Sequence, residues 1–480
     1  MRMRLFFALL WLVFAVETLP QPPKSLVVTH ISVVDVSTGE TKPDMTVIIS
    51  DGRIREIGSS TTARIPEAAQ VVEAGGKFLI PGLWDMHVHI FNQISRRPPN
   101  TWYFPLFIAN GVTSVREMWT KLENMPQVRE WRRLQLDGSL IAPRIAAVGT
   151  LVDGPAGVET TNLPALQPGP TANSVSTPEE ARQFVREVKA AGIDFAKTYS
   201  SLSREAYFAI ADEAKKQAIP FAGHVPFLVG AAEASSAGQR SMEHLNQILE
   251  SSSSRSHELF QVPGREWSSK YDKLTLDTFD EAKFKKLVTT LAQNHSWQVP
   301  TLVRNQVWAF RGETVIMSDS RLRYIPANEV ATWKKQFPDL RPTDIEKAVR
   351  GRLWQKQLEV VRRMKDAGVP LMAGTDLGAD YIYPGFSLHD ELTLFVEAGF
   401  TPLEALKAAT RNPAEFLGLL DSMGTVEKGK IADLVLLNAN PLEDIRNTQK
   451  IEAVVVNGRF LDRKELDQLL AKAEGEAKKS

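Results

Sequence analysis

Two histidines separated by a single residue form the part of the chain best suited to chemistry. His87 and His89 end an apolar stretch that begins at Ile80. A β-strand points alternate side chains to one face, so the two imidazoles would project together, about 6–7 Å apart along the backbone. Neutral imidazoles at this spacing can share one metal ion. Histidine has many other uses in folded proteins, so a structural role for one of the pair is the competing interpretation.

Further groups that could complete a metal site each follow a short apolar run; they are Lys197, His224, His244 and Asp376. Imidazoles and carboxylates are the usual protein ligands of a hydrolytic zinc ion. A lysine ammonium would be repelled by a divalent cation, whereas the carbamate that lysine forms with carbon dioxide is an anion able to bridge two metal ions. An ion pair of Lys197 with Asp194 or Glu205 is the alternative, because buried lysines are usually paired. The residues alone leave both interpretations open.

The elements that must position these groups follow a repeated pattern. After the histidine pair, short apolar runs alternate with longer helical segments, which is typical of β-α units and a parallel sheet. Eight candidate strands lie near residues 79–85, 112–116, 144–149, 193–197, 219–223, 240–243, 298–302 and 370–374. Eight units fit an α/β fold of the closed (β/α)8 TIM barrel type, whose active sites gather where the strands end. The spacing of Lys197, His224 and His244 predicts that they follow three neighbouring strands.

The two ends of the chain carry a different pattern of short antiparallel strands. We predict a small composite β-sandwich domain built from residues 25–75 and 411–462, next to a barrel that covers residues 76–410. The long interval between the last histidine and the aspartate predicts an insertion at about 251–350, on the face where barrel enzymes often carry a lid or substrate wall. Residues 463–480 form a charged tail to which no chemistry is assigned, and the isolated His30 is expected to be structural.

Composition narrows the partners and the location. Lys+Arg and Asp+Glu both total 57, so no net charge argues for nucleic acid or for an anionic membrane. The chain has no cysteine and can form no disulfide. Arg2 and Arg4 precede an apolar run over residues 5–16, which predicts a signal peptide at 1–20 and a secreted or periplasmic protein. An uncleaved membrane anchor is the alternative, and beyond export no membrane association is predicted.

Several motifs resemble the amidohydrolase superfamily, in particular its imidazolonepropionase-related members, which include metal-dependent prolidases and Xaa-Arg dipeptidases. They are the segments Pro81–His89, Phe221–His224, Met242–His244, Ala373–Asp376 and Gly424–Leu434. The likeness runs from about residue 26 to 460. It implies two divalent metal ions, with zinc expected: one ion held by His87, His89 and Asp376, the second by His224 and His244. It also implies that Lys197 is an N6-carboxylysine bridging the two ions.

The resemblance implies hydrolysis of a carboxamide bond in a short peptide or an N-acyl amino acid by a metal-activated hydroxide. Asp376 would carry the proton to the leaving amine. Candidate substrate contacts are Tyr199, which could hydrogen-bond a carbonyl oxygen, Arg304, which could clamp a carboxylate, and His389. The alternatives are a surface charge for Arg304 and an ordering of the loop for His389. Arg116 is expected to pair with a carboxylate at the mouth of the barrel.

Two other functions remain open on the sequence. One is a hydrolase or deaminase acting on a cyclic amide such as an imidazolone or lactam. The other is a non-catalytic binding protein on the same fold, which the complete set of candidate ligands disfavours. The sequence also leaves the oligomeric state open, including a homo-oligomer.

Overall fold

The computed structural model describes residues 25–91, 101–155, 173–261, 269–310, 313–336 and 342–479. The predicted signal peptide lies outside these residues. Strands from both ends of the chain form one mostly antiparallel sheet, here called sheet A. Its members are β1 (Ser25–Val34), β2 (Thr41–Ser50), β3 (Arg53–Ser59), β4 (Gln70–Glu73), β5 (Phe78–Pro81), β14 (Leu434–Leu437), β15 (Ile451–Val456) and β16 (Arg459–Leu461).

Sheet A joins the ends of the chain through the pairing of β5 with β14. These strands are antiparallel, with Pro81 opposite Leu434 and Phe78 opposite Leu437. The full order is β16-β15-β14-β5-β1-β2-β3, with β4 parallel to β1. The interior of sheet A consists of aliphatic side chains contributed by both ends. The prediction of a composite β unit made from the two chain ends is therefore confirmed.

The second sheet is the parallel sheet of a nearly closed barrel. Its strands run in chain order as β6 (Leu83–Val88), β7 (Val112–Thr120), β8 (Arg144–Asp153), β10 (Phe195–Thr198), β11 (Phe221–Gly223), β12 (Ser241–Glu243) and β13 (Trp297–Val299), with the short β9 (Asn173–Ser174) beside β8. Helices connect the strands, as a right-handed parallel crossover requires. They are α1 (Tyr103–Ala109), α2 (Met125–Leu136), α3 (Pro178–Ala190), α4 (Arg204–Gln217), α5 (Ala231–Ser236), α6 (Ile248–Ser251), α9 (Glu281–Gln293) and α13 (Asp344–Asp366).

The eighth predicted strand, near 370–374, differs from the others because it forms no regular ladder. Isolated bridges join Leu371 to Gln298 of β13 and Leu377 to Val88 of β6, so the segment closes the barrel between these two strands. Two local features characterise this segment. Gly374 lies so close to β6 that a Cβ there would be 2.9 Å from the His87 nitrogen. Asp376 has a φ of 62°, in the left-handed region.

The strand predicted at 79–85 is two strands that belong to different sheets. β5 lies in sheet A and β6 starts the barrel, so the chain passes from one sheet to the other at Gly82. The Gly82 amide donates to the carbonyl of Asp433 at 2.8 Å. A Cβ at this position would lie 2.0 Å from Thr113 Oγ1, so glycine is required by close packing against β7.

The predicted insertion is mostly helical. It contains α7 (Ser256–Leu259), α8 (Ser269–Asp277), α10 (Leu302–Ala309), α11 (Thr314–Met317) and α12 (Ala327–Gln336) in addition to β13. Part of it packs against the loop that follows Asp376, where Trp333 contacts Tyr381 at a ring distance of 5.2 Å. Tyr324 stacks on Phe386, at the start of α14, at 5.3 Å. The insertion therefore forms a wall beside the carboxyl ends of the barrel strands.

The remaining helices complete the outer layer: α14 (Phe386–Glu397), α15 (Pro402–Ala408), α16 (Arg411–Phe416) and α17 (Arg463–Ala477). The charged tail is therefore a helix, and Ala473 on α17 packs with Leu106 of α1 and Tyr324 of the insertion. None of the helices in the described ranges combines the length and the apolarity needed to cross a bilayer.

Candidate metal centre

The six predicted site residues converge at the carboxyl ends of the barrel strands. His87 is on β6 and Lys197 on β10, and the other four follow a strand end or the closing segment. All six side chains are buried. Ring centroids are 5.1 Å apart for His87 and His89, 4.6 Å for His87 and His244, and 4.8 Å for His224 and His244. The Nζ atom of Lys197 lies 3.5 Å from His87 Nε2.

Asp376 lies at the centre of this cluster. Its Oδ1 is 3.0 Å from His89 Nε2 and 3.3 Å from His87 Nε2. Its Oδ2 faces the other side, 3.9 Å from His244 Nδ1 and 3.5 Å from Arg304 Nε. One ligand atom from each of His87, His89 and Asp376 lies within 4.8 Å of the other two. Three donors at this spacing can bind a single ion.

Three of the four histidines are held from behind through Nδ1. His87 Nδ1 lies 2.9 Å from Glu243 Oε2, His224 Nδ1 lies 2.8 Å from Ser200 Oγ, and His244 Nδ1 lies 2.7 Å from Thr301 Oγ1. With Nδ1 engaged, Nε2 is the nitrogen left for a metal, the arrangement common to metal-binding histidines.

The fourth histidine differs, because His89 Nδ1 is buried and has no hydrogen-bond partner among the described residues. Buried imidazoles with one oriented nitrogen, an unsatisfied ring nitrogen and a shared carboxylate form a donor set that fits a divalent metal ion.

The protonation states of the four histidines and of Asp376 also favour metal binding. Burial is the main cause that lowers the pKa of His87, His224 and His244 well below its usual value, and it also lowers the pKa of His89. Burial opposes ionisation of Asp376, but the adjacent histidines, above all His244, hold the pKa of this carboxyl well below its usual value. Neutral imidazoles and an ionised carboxylate are the metal-binding forms.

Lys197 is buried without the ion pair that was its alternative role. Asp194 pairs instead with Arg132 at 3.0 Å. Among the residues that the structure describes, no carboxylate lies within ion-pair distance of Lys197 Nζ. Burial lowers the pKa of Lys197 to about 8, while Asp376 and then Glu243 act in the opposite direction. A fraction of this side chain is therefore a neutral amine near pH 7, the form that reacts with carbon dioxide.

Two of the three predicted substrate contacts border the cluster. Tyr199 stacks on His224 with ring centroids 4.1 Å apart. Arg304 reaches Asp376 and lies over the ring of Trp308, 5.5 Å from its centroid. Both positions are consistent with the predicted contacts.

His389 is placed differently, because both of its ring nitrogens are engaged within the fold. Its Nδ1 lies 2.9 Å from Thr448 Oγ1 and its Nε2 lies 3.0 Å from the carbonyl of Asn110. The side chain is buried, and burial lowers its pKa to about 4. The geometry thus gives His389 a structural role, the alternative considered for it, and does not support a substrate contact.

Several residues behind or beside the cluster were not identified from the sequence as part of the site. Glu243, Ser200 and Thr301 hold histidines, and the Trp119 ring lies edge-on to His89 at 5.8 Å. Asp85 accepts hydrogen bonds from the amides of His87 and Thr375. It thereby joins the segment that carries His87 and His89 to the segment that carries Asp376. The sequence carried a signal for Asp85 and Glu243, because each is a charged residue within an apolar strand. Such residues are rarely buried without a partner.

The predicted pairing of Arg116 with a carboxylate is confirmed, because its guanidinium lies 3.0 Å from Glu243. The pair lies in the barrel interior and not at an exposed rim, since both side chains are buried. Arg116 therefore belongs to the support of the cluster.

A barrel that gathers buried histidines and carboxylates where its parallel strands end belongs to the (β/α)8 barrel enzymes, which carry their active sites on that face. The particular family follows from the sequence match. Residues 78–461 match the family model described as "Amidohydrolase family", and the chain belongs to this family. The predicted resemblance to the amidohydrolase superfamily is confirmed.

Individual related sequences match this chain over shorter stretches than the family model does. The chain is 30% identical to an adenine deaminase from Paracoccus denitrificans over 147 residues, which cover 30% of this chain and 24% of the relative. The match thus spans about a quarter of that protein's length.

Solved structures resemble the chain over nearly its whole length. A bottromycin amidohydrolase has a TM-score of 0.73 at 24% identity, covering 95% of this chain and 91% of the other. A Xaa-Pro dipeptidase with bound methionine has a TM-score of 0.67 at 19% identity, covering 91% and 100%. At these identities the similarity establishes a common fold.

Proposed function

We propose that this protein is a metal-dependent hydrolase that cleaves a carboxamide bond in a short peptide or an N-acyl amino acid. The observation that carries the proposal is the cluster of four histidines, one lysine and one aspartate buried together at the carboxyl ends of an amidohydrolase barrel. Barrel enzymes carry their active sites at this end of the strands, so a buried set of metal-binding groups there supports a catalytic role.

The proposed centre holds two divalent ions, with zinc expected from the imidazole ligands. His87, His89 and Asp376 would bind one ion and His224 and His244 the other, with Lys197 as a bridging N6-carboxylysine. Two observations support this role for Lys197: it is buried with no carboxylate partner in the described part of the chain, and its Nζ lies 3.5 Å from His87 Nε2. Ions bound there would supply an acidified water as nucleophile and an electrophile for the scissile carbonyl.

The chain's own groups would move the proton and orient the substrate. Asp376 Oδ2 points toward Arg304, away from the His89 side, and is proposed to accept a proton and pass it to the leaving amine. Arg304 would bind a substrate carboxylate, for which its planar guanidinium is suited. Tyr199, stacked on His224, would donate a hydrogen bond to a carbonyl oxygen.

The experiment compares metal content with hydrolysis. Purified protein is expected to contain two divalent ions per chain, to lose hydrolysis of dipeptides or N-acyl amino acids on chelation, and to recover it with added Zn²⁺. Lys197→Ala should lose the second ion, and labelled bicarbonate should give a carbamate carbon signal in the wild type that is absent in this variant. Active protein without metal, or full activity in Lys197→Ala, would contradict the proposal.

The second candidate substrate is a ring that is hydrolysed or deaminated, favoured by the match to an adenine deaminase. The same substrate panel, extended to lactams, cyclic ureas and imidazolones, separates the two. Turnover of rings with no turnover of dipeptides or N-acyl amino acids would select this second function. Because Arg304 is proposed to bind a carboxylate, Arg304→Met should raise the KM of acyclic substrates more than that of uncharged rings.

We also propose that the protein is exported, from the charge and apolar pattern of residues 1–20. Expression with and without these residues, followed by fractionation and N-terminal sequencing, tests this. A chain that keeps its N-terminus and stays with the cytoplasm would contradict it.

A further inference from the structure

A buried pair of opposite charges lies directly behind His87. Glu243 is 0% exposed and Arg116 is 1% exposed. The Arg116 Nη2 atom donates to both oxygens of Glu243 at 3.0 Å. Its Nε donates to the carbonyl of Met86 at 2.6 Å, next to His87 in the chain. One guanidinium therefore holds both the carboxylate and the backbone of the strand that carries His87.

Three further side chains hold the Arg116–Glu243 pair in place. Ser241 receives a hydrogen bond from Arg116 Nη1 at 2.8 Å and donates to Glu243 Oε1 at 2.5 Å. The rings of Phe195 and Phe416 lie 5.7 and 5.4 Å from the guanidinium carbon. The other oxygen of the Glu243 carboxylate, Oε2, also faces His87 Nδ1, at 2.9 Å. Glu243 thus has little freedom to turn away from the histidine.

The chemistry of the anchor decides where the imidazole carries its proton. An ionised carboxylate only accepts hydrogen bonds, so the neutral ring of His87 must donate from Nδ1 and leave its Nε2 lone pair free. That Nε2 faces Asp376 Oδ1 at 3.3 Å and Lys197 Nζ at 3.5 Å. The anchors of His224 and His244 are hydroxyls, which can donate or accept and so leave the tautomer undetermined.

We propose that Glu243, held by Arg116, is a positioning residue that fixes the Nδ1–H tautomer and the orientation of His87 for metal binding through Nε2. This inference rests on the proposed metal centre. A competing explanation is that the Arg116–Glu243 pair only joins β7 to β12. Buried ion pairs rarely add net stability over apolar residues of similar size, which makes a purely stabilising purpose the weaker explanation.

The first test replaces the charge alone. Glu243→Gln keeps the shape of the side chain, but its amide can turn either its oxygen or its nitrogen toward His87. We expect zinc affinity, measured by competition with a chelating dye, to fall about 10- to 100-fold, the range for lost partners of metal-binding histidines. Long-range ¹H–¹⁵N NMR of the metal-free protein should change the His87 signal from pure Nδ1–H to a mixture of tautomers.

The matched control is Ser241→Ala, which removes one neighbour of Glu243 and leaves the contact with His87 in place. It should keep the His87 tautomer and change zinc affinity less than threefold, well below the range expected for a lost anchor.

The second test separates positioning from stability. The double variant Arg116→Met with Glu243→Leu removes both charges at similar volume, which often leaves a fold as stable as before. If the pair were only structural, this variant would recover wild-type zinc affinity. The inference requires that affinity stay low and the His87 tautomer stay mixed while thermal stability recovers.

The possible failures can be told apart. Wild-type protein that binds no zinc overturns the proposed metal centre together with this inference. Wild-type protein that binds zinc, with unchanged affinity and an unchanged His87 tautomer in Glu243→Gln, overturns the inference alone.

Discussion

The two sheets differ in the charged groups that they bury. The buried core of sheet A consists of aliphatic side chains, such as Val28, Ile49 and Leu434. The barrel interior instead contains charged and polar groups; these include Asp85, His87, Arg116, Glu117, Lys197 and Glu243, with Glu391 of α14 buried beside the end of β13. One chain therefore uses two different kinds of packing.

The energetic consequences of the two interiors differ. Burial of aliphatic surface stabilises a fold by roughly 25 cal/mol per Å², so sheet A contributes directly to stability. Charged groups without water cost free energy, and burial raises the pKa of both Asp85 and Glu117 to about 7. A protein retains such an interior where it performs chemistry. The comparison thus assigns function to the charged groups inside the barrel and stability to the apolar cores, of which the core of sheet A is one, and each assignment can be tested.

Asp376→Asn should have the largest effect. Removal of the proposed proton carrier is expected to lower kcat/KM about 10²- to 10⁴-fold, the range for lost general acid–base catalysis. The free energy of unfolding should change little in comparison, because the asparagine side chain has the same size. Steady-state kinetics with urea unfolding checks both quantities, and a loss of activity below tenfold would contradict the role of Asp376.

Leu434→Ala tests the opposite region. Leu434 is 0% exposed in β14, and its truncation should lower the free energy of unfolding by about 2–5 kcal/mol. The kcat/KM of the folded protein should stay at the wild-type value. The matched control is Leu136→Ala on α2, where the side chain is 61% exposed and the change should be within about 0.5 kcal/mol. Equal losses in the two variants would show that sheet A is not a stabilising core.

Thr301→Val examines a neutral anchor of the cluster. The change keeps the branched shape and removes the hydroxyl behind His244, so we expect about a tenfold loss of zinc affinity. Thr448→Val is the control, because Thr448 holds His389 in the same way outside the cluster. Titration calorimetry should show a loss for the first variant only. Equal zinc affinities in both variants would remove Thr301 from the support of the metal centre.

The last prediction is a pH dependence of stability that comes from Glu391 on α14. Burial raises the pKa of Glu391 to about 8, although the amides of Val303 and Leu302 act in the opposite direction. Between pH 5 and 8 the folded state then holds a proton that the unfolded chain has released, so stability falls as pH rises. The slope is at most about 1.4 kcal/mol per pH unit.

Glu391→Gln cannot titrate and gives the reference for this prediction. Urea unfolding at several pH values should show the wild type losing stability relative to the variant between pH 5 and 8. Parallel curves for the two proteins would mean that the Glu391 carboxyl is already ionised at pH 5 in the folded state.

Local patterns were sufficient to predict most of the architecture. Alternation along a strand placed His87 and His89 together, and the intervals between Lys197, His224 and His244 correctly put them at three adjacent strands. These features depend on residues close in sequence. The positions of strand ends then follow from the parallel topology of the barrel.

Contacts between distant residues could not be predicted in the same way. Glu243 lies 156 residues from His87, and no spacing rule connects the two positions. The irregular closing segment depends on the close approach of Gly374 to β6, which appears only after folding. His389 looked like a candidate because of its residue type, whereas its partners Thr448 and Asn110 come from distant elements.

The passage from sheet A to the barrel at Gly82 has a consequence for the order of folding. The Gly82 amide bonds to Asp433, and the Trp84 amide, three residues before His87, bonds to the carbonyl of Ala409. The strand that carries the first histidine is thus held by residues synthesised more than three hundred positions later. Contacts of such long sequence separation form slowly. During synthesis, the N-terminal strands must wait for the last part of the chain, and the site is completed only when both ends have met.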